Sequence, residues 1–346
     1  MDGRSRALLA LLIATTDALQ RTIRLSGKRC CAALRATGPS WARGGVSDRA
    51  FGVEIELLSD DGVYDLADAF DRADEDVIIR NTVTRDTTKA WKIVPDLSLP
   101  AGRGFELVSP ILRGHDGRRR LVTVMNQINE QISTADIHGR LAEALGGACR
   151  LASGVQPEPG SYVNKKCGYH VHVDLTGIKF AGVRRICQNW AKYEDAIDLF
   201  LPESRRGNAN RFCRSVRYNG FLGPGTNKEV NDYIGACEDI YDLMECINPI
   251  TSEDDPGRYY KLNLRTGSKN TIEFRAHSGT TDTEKLKRWI NFVVAFVESS
   301  ARDPAPKSFY DDRDAEYKFH RLFEWVVRGN SIYNFYYARA LELNQY

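Results

Sequence analysis

The sequence lacks any apolar run near the ~20 residues that a membrane-crossing helix needs, so no integral membrane segment is expected. It also lacks an excess of either charge. Lys+Arg 48 against Asp+Glu 46 leaves +2, which gives no overall pull toward nucleic acid or an anionic surface. None of the eight cysteines, at 30, 31, 149, 167, 187, 213, 237 and 246, forms a C-x-x-C pair. The six histidines add no zinc-finger spacing, and the cysteine density is low for a disulfide scaffold. Reduced thiols in a cytoplasmic protein are the plain reading, with the adjacent Cys30 and Cys31 as the pair open to lipidation or oxidation. No G-x-G-x-x-G follows a predicted strand and no G-x-x-x-x-G-K-[ST] is present, so dinucleotide and P-loop folds lose support. Internal repeats and low-complexity tracts are absent too.

What is present is ordinary globular material. Hydrophobic residues make up 42% and charged residues 27% of 346, which excludes wholesale disorder and allows two domains or one large one. Residues 1–49 differ from the remainder, holding nine basic and three acidic residues. The run Ala7–Ala14 behind two arginines fits a signal-peptide core. Leu8, Leu12, Thr15, Leu19 and Ile23 equally continue it as a helical stripe, which fits a packing helix or an organelle presequence. Gly38-Pro39 and Gly44-Gly45 then break the chain. The division expected is a basic extension over 1–49 and a catalytic domain over 50–346, starting near Ser47. Organelle targeting is the alternative to a cytoplasmic location.

Alternation of apolar and polar residues predicts strands at Phe51–Leu58, Trp91–Val94, Phe105–Val108, Tyr169–Leu175, Tyr259–Arg265 and Thr271–His277. Helical spacing predicts helices at 63–72, 117–133, 138–151, 180–200, 228–247, 282–299, 314–327 and 333–343. Strands and helices do not alternate strictly. That favours α+β with an antiparallel sheet over a doubly wound parallel one.

The strands carry the chemistry. Glu54 and Glu56 are two residues apart, so both carboxylates share a face while Val53, Ile55 and Leu57 turn to the core. Such a pair repels unless a cation lies between its members, and hard divalent cations want oxygen ligands. On Tyr169–Asp174, His170, His172 and Asp174 share a face. On the last strand Glu273, Arg275 and His277 do so, and Asn263 and Arg265 share a face of the strand before it. Glu106 lies among apolar residues, and Asp96 fits a turn. For each strand the plain alternative is a solvated face or a structural ion pair. Four such strands together fit a sheet with one apolar face and one lining a metal- and phosphate-binding cleft. Lys165 and Lys166 precede the histidine strand. Arg205, Arg206, Arg211, Arg214 and Arg217 form a basic loop, which reads as a phosphate lid or a surface patch for RNA. Arg118–Arg120, at a helix start, are expected to be solvated.

These stretches, in order, are F-G-V-E-I-E; D-L-S with G-F-E-L-V-S-P-I-L; C-G-Y-H-V-H-V; L-P-E-S-R-R-G-N-A-N-R-F-C; and K-L-N-L-R with T-I-E-F-R-A-H-S-G-T-T-D. Over roughly 50–300 they resemble the putative amidoligase family, in the carboxylate–amine ligase group with glutamine synthetase. The resemblance implies a curved antiparallel sheet with helices on its outer face and ATP with two or more Mg²⁺ (or Mn²⁺) on its concave face. It implies Glu54, Glu56, Glu106, His170 and Glu273 as metal ligands, the last two toward ATP, and Arg275 on the transferring phosphate. Glu273 and Arg265 join Arg275 as catalytic candidates. His170, His172, Lys166, Arg205, Arg206, Arg211 and Asn263 are the candidates for holding the nucleotide.

The activity implied is ATP-dependent amide formation, in which phosphorylation turns a carboxylate oxygen into a leaving group before an amine attacks. The partners are small or peptide carboxylates and amines, with no nucleic acid; oligomeric state is not implied. Two alternatives use the same face: a metal-dependent hydrolase or phosphodiesterase, and a non-catalytic binding domain.

Overall fold

A computed structural model describes residues 47–58, 63–79, 89–100, 103–146, 163–303 and 313–344. The chain divides into two compact units, 1–46 and 47–346, and every described residue lies in the second. The expectations for the N-terminal stripe and for the loop at 156–160 fall outside the described residues.

Eight strands form one sheet: β1 (Ala50–Leu58), β2 (Val77–Ile79), β3 (Trp91–Pro95), β4 (Gly104–Val108), β5 (Leu112–Arg113), β6 (Gly168–Asp174), β7 (Leu262–Asn263) and β8 (Thr271–Ser278). The order is β2-β3-β4-β1-β6-β8-β7, with β5 paired to the start of β1. The helices are α1 (Val63–Arg72), α2 (Gly114–Gly146), α3 (Phe180–Asp198), α4 (Asn227–Gly235), α5 (Ile240–Ile247), α6 (Thr283–Arg302), α7 (Ala315–Arg321, continued as a π-turn over Leu322–Val327) and α8 (Asn330–Leu343).

The curved, wholly antiparallel sheet implied by the resemblance does not form. β2 runs parallel to β3, pairing Val77 with Trp91 and Ile79 with Ile93, so the sheet is mixed. Its path is open, ending on β2 and β7. Three apolar residues carry no alternation, so β2 was invisible in the sequence; its pairing comes from docking beside Trp91.

Alternation does give one apolar face. Val53, Ile55, Leu57, Leu107, Tyr169, Val171, Val173, Ile272 and Phe274 are all at most 1% exposed. α3 and α6 cover them with aromatic contacts: the Trp190 ring lies 5.3 Å from Phe274 and 5.8 Å from Phe296. α1 covers the far side, with Phe70 at 5.8 Å from Trp91.

Several boundaries differ from expectation for local reasons. The helices expected at 117–133 and 138–151 are one, α2, because no Gly or Pro interrupts 134–137. The helix expected over 228–247 is two. Asp239 accepts hydrogen bonds from the N–H groups of Tyr241 and Asp242 and so starts α5 afresh. The strand expected at Tyr259–Arg265 shrinks to β7, since Tyr259 and Lys261 spend backbone groups on Arg214 instead. Arg118 is 5% exposed rather than solvated. It donates to Asn291 Oδ1 and Gly114 O, and burial pulls its pKa down to about 10. No helix among the described residues is long and apolar enough to cross a membrane.

Candidate metal centre

The sheet's second face carries the carboxylates and histidines, and strand register brings them together. Glu56 of β1 stands opposite Glu106 of β4, and Glu54 stands opposite His170 of β6. His172 stands opposite Glu273 of β8, which in turn faces Asn263 of β7. Five strands thus contribute one continuous row of polar side chains, as cross-strand pairing on a single face requires.

His170 is the centre of the row. Its Nδ1 lies 3.6 Å from both Glu54 Oε2 and Glu273 Oε1, and its Nε2 lies 3.5 Å from Glu56 Oε1. Two ligand sets result, Glu54–His170–Glu273 and Glu56–Glu106–His170, each with donor atoms within 4.8 Å of one another. Gly168 makes this possible. A Cβ there would sit 2.6 Å from His170 Nε2, and its N–H donates to Glu56 Oε2 at 2.6 Å.

The two sets differ in charge balance. In the first, Arg275 Nη1 donates to Glu273 Oε1 at 2.5 Å, and Asn263 donates to Glu273 Oε2 at 2.6 Å. His172 Nε2 and Lys269 Nζ lie 3.1 Å and 3.6 Å from Glu54 Oε1. Burial works to raise the pKa of Glu54 and Glu273. For Glu54 the charge and hydrogen bonds of His172 and His170 win, and for Glu273 the charges of Arg275 and His172; both groups are held low. Burial likewise works to lower His172, but Glu54 and Glu273 raise it.

The second set is less well balanced, with the charge of Arg275 acting against its neighbouring carboxylates at Glu106. Burial, reinforced by Glu54, Glu56 and Asp96, pushes the Glu106 carboxyl well above the ordinary range. Two facing carboxylates and an imidazole nitrogen suit a divalent ion.

Other expected site residues lie elsewhere. Arg265 donates to Asn248 O at 2.7 Å and pairs with Glu245 at 2.6 Å, away from the row. His277 does not share the face of Glu273. The pairing partner jumps from His277 at Tyr169 to Phe274 at Val171, three residues against two, and this bulge turns His277 to the core side. There it meets Tyr169 edge-on at 5.6 Å and Trp289 at 5.3 Å, and burial lowers its pKa to about 4.

The nucleotide cradle expected from the basic loop is not borne out. Arg205 is 2% exposed and donates to the carbonyls of Lys166 and Cys167. Arg206 donates to Leu201 O and Asn344 Oδ1, each at 2.8 Å. Arg214 grips Asp255 with one nitrogen at 2.9 and 2.7 Å, and Arg217 donates to Gly223 O and Gly225 O. Arg211 is exposed over the Phe212 ring, and the Lys166 side chain is exposed. The loop is bolted down beneath as well. Lys261, fully buried, holds Asp198 at 2.5 and 2.7 Å, while Asp198 accepts the Gly207 N–H and Glu194 accepts from Ser215 and Val216. Arg205, Arg206, Arg214 and Arg217 are thus structural, whereas Arg211 and Lys166 stay exposed.

Lys269 was missed in the sequence because it sits in a Gly-Ser turn, where a solvated role is the default. Its place beside Glu54 depends on how the β7–β8 turn folds over the face.

Comparison with known families agrees with the motifs. Residues 157–297 match a family described as "Putative amidoligase enzyme", which shows the resemblance over that segment, under half of the 346 residues. The match takes in β6, β7 and β8, with His170, His172, Asn263, Glu273 and Arg275, but not β1 or β4. No curated protein matches the chain.

Proposed function

We propose that the protein is a metal-dependent enzyme whose chemistry runs on the Glu/His face, with hydrolysis of an amide or phosphoester as the first reading. The observation that supports it most is the Glu56–Glu106–His170 set, convergent, with Glu56 and His170 buried and Glu106 half-buried. Glu56, Glu106 and His170 would hold the ion, Mg²⁺ or, given the imidazole, Mn²⁺. When bound, the ion would supply Lewis acidity toward a substrate oxygen and a water made more acidic. The chain's own residues do the rest. Arg275 and Asn263 fix Glu273, the bond to Gly168 fixes Glu56, and His172 stands ready beside Glu54 to exchange a proton with a bound group. The catalytic unit in this reading is residues 50–346, with 1–49 as an extension.

The family match favours a second reading, ATP-dependent amide formation through an acyl phosphate, with the nucleotide as a consumed co-substrate. Arg205 and Arg206 give it no support, being spent on carbonyl groups and Asn344.

Calorimetric titration of the full chain with Mn²⁺ and Mg²⁺ tests the centre. Glu56→Gln and Glu106→Gln should each weaken binding at least tenfold; unchanged binding in both would refute it. Product analysis then separates the readings. Hydrolysis yields product without ATP or amine, whereas ligation releases phosphate only when both an acid and an amine are supplied.

A further inference from the structure

The bulge that turns His277 to the core side of β8 leaves it lining a recess of about 60 Å³. Phe200, after α3, and Phe335 of α8 give this recess an apolar wall. Its polar lining comes from three places: Ser278 and Thr280 at the end of β8 and just beyond it, Lys285 in the first turn of α6, and Arg339 of α8. At ~10–15 Å³ for a water-sized occupant, the space holds about four or five oxygen-sized groups, which is the size of one tetrahedral oxyanion.

The lining is rich in donors and carries positive charge. Lys and Arg side chains donate hydrogen bonds and accept none. Among the described residues that line the recess, none is acidic. Lys285 Nζ reaches Asp282 Oδ2 only at 3.6 Å, and Arg339 donates from Nη1 to Glu342 Oε2 at 2.8 Å. Both of those carboxylates are exposed and stand outside the lining. Among the described residues no further hydrogen bond engages the Arg339 guanidinium or the Ser278 hydroxyl. Thr280 Oγ1 accepts the Asp282 N–H at 3.1 Å, which leaves its hydroxyl proton to donate. His277 shows the sign of the field. Burial lowers its pKa to about 4, and the charges of Arg205, Arg339 and Lys285 all act in the same direction. Cations that share so small a space repel one another, and an anion between them removes that cost.

We propose that this recess binds a free oxyanion of phosphate size, held by Lys285 and Arg339 with the Ser278 and Thr280 hydroxyls, apart from the carboxylate row. The bound ion would tie α8 to the turn between β8 and α6. A free ion fits better than a phosphoryl group on a larger body, because the volume is filled by the tetrahedral head alone. The assignment does not rest on the metal reading.

Calorimetric titration of the full chain with inorganic phosphate tests it, in chloride buffer at fixed ionic strength with a chelator present. Phosphate should bind saturably at one site, and phenyl phosphate at least tenfold more weakly. Lys285→Gln and Arg339→Gln should each weaken phosphate at least tenfold, the loss of a charge-assisted hydrogen bond, while Arg339→Lys keeps part of the affinity. The native partners of both cations are exposed carboxylates, so the melting temperature of each variant without phosphate should stay near that of the parent. Lys269→Gln, beside the carboxylate row, should leave phosphate binding unchanged. The proposal would be overturned by the absence of saturable binding, by phenyl phosphate binding as tightly as phosphate, or by a loss in Lys269→Gln with none in Lys285→Gln and Arg339→Gln.

Discussion

Glu106 faces Glu56 across two strands and is crowded further by Glu54 and Asp96. Its raised pKa has a definite sign in metal-free protein. A carboxyl whose folded pKa exceeds the unfolded value favours folding below the unfolded pKa, and that contribution is lost as pH rises through the folded value. Glu106→Gln removes the buried like charge, so it should raise the melting temperature of metal-free protein at neutral pH while weakening Mn²⁺ binding. Calorimetry on one variant reads both signs. His277 works in the opposite pH direction. Held neutral with a pKa of about 4, against about 6.5 when unfolded, it leaves the unfolded chain binding more protons in that window. Its contribution is fully present above pH 6.5 and is lost as pH falls toward 4. His277→Phe keeps the ring contacts with Tyr169 and Trp289 and should flatten the fall in melting temperature across that window.

At the scale of elements, the basic loop is anchored to α3 through a buried ion network rather than hinged as a lid. Lys261→Met leaves Asp198 and Glu194 without their buried counter-charge and should cost about 3 kcal/mol or more in chemical denaturation. Adding Asp198→Leu should recover part of that loss, because the uncompensated carboxylate is what destabilises. The start of α5 is a simpler case. Asp239→Ala deletes a cap accepting two backbone N–H groups and should cost about 1 kcal/mol without altering metal affinity.

For the whole molecule, the same sheet serves as core on one face and site on the other. An ion bound there is therefore linked to folding of the entire unit. Mn²⁺ at a hundred times its dissociation constant should stabilise the full chain by about 2.7 kcal/mol, seen as a concentration-dependent rise in melting temperature that a chelator reverses. The absence of any such rise would argue that the carboxylate row is only structural.

The period-two pattern was enough to identify β1, β4, β6 and β8 and to separate their apolar from their polar faces, because side-chain direction on a strand is a local property, while the family resemblance gathered Glu54, Glu56, Glu106, His170 and Glu273 into one ligand set. The match of residues 157–297 to an amidoligase family agrees with motifs that were readable without coordinates. Properties that depend on distant segments were not readable. The parallel pairing of β2 arises from docking against β3, and the bulge that turns His277 to the core exists only as a mismatch between β6 and β8. The basic loop looked like a phosphate lid because arginines are alike in a sequence; burial against particular carbonyls and carboxylates decided that they hold the fold instead. Which ligand set holds Arg275 directly on a carboxylate was likewise settled in three dimensions, since charge balance depends on which side chains come within a few ångströms and not on which residues are present.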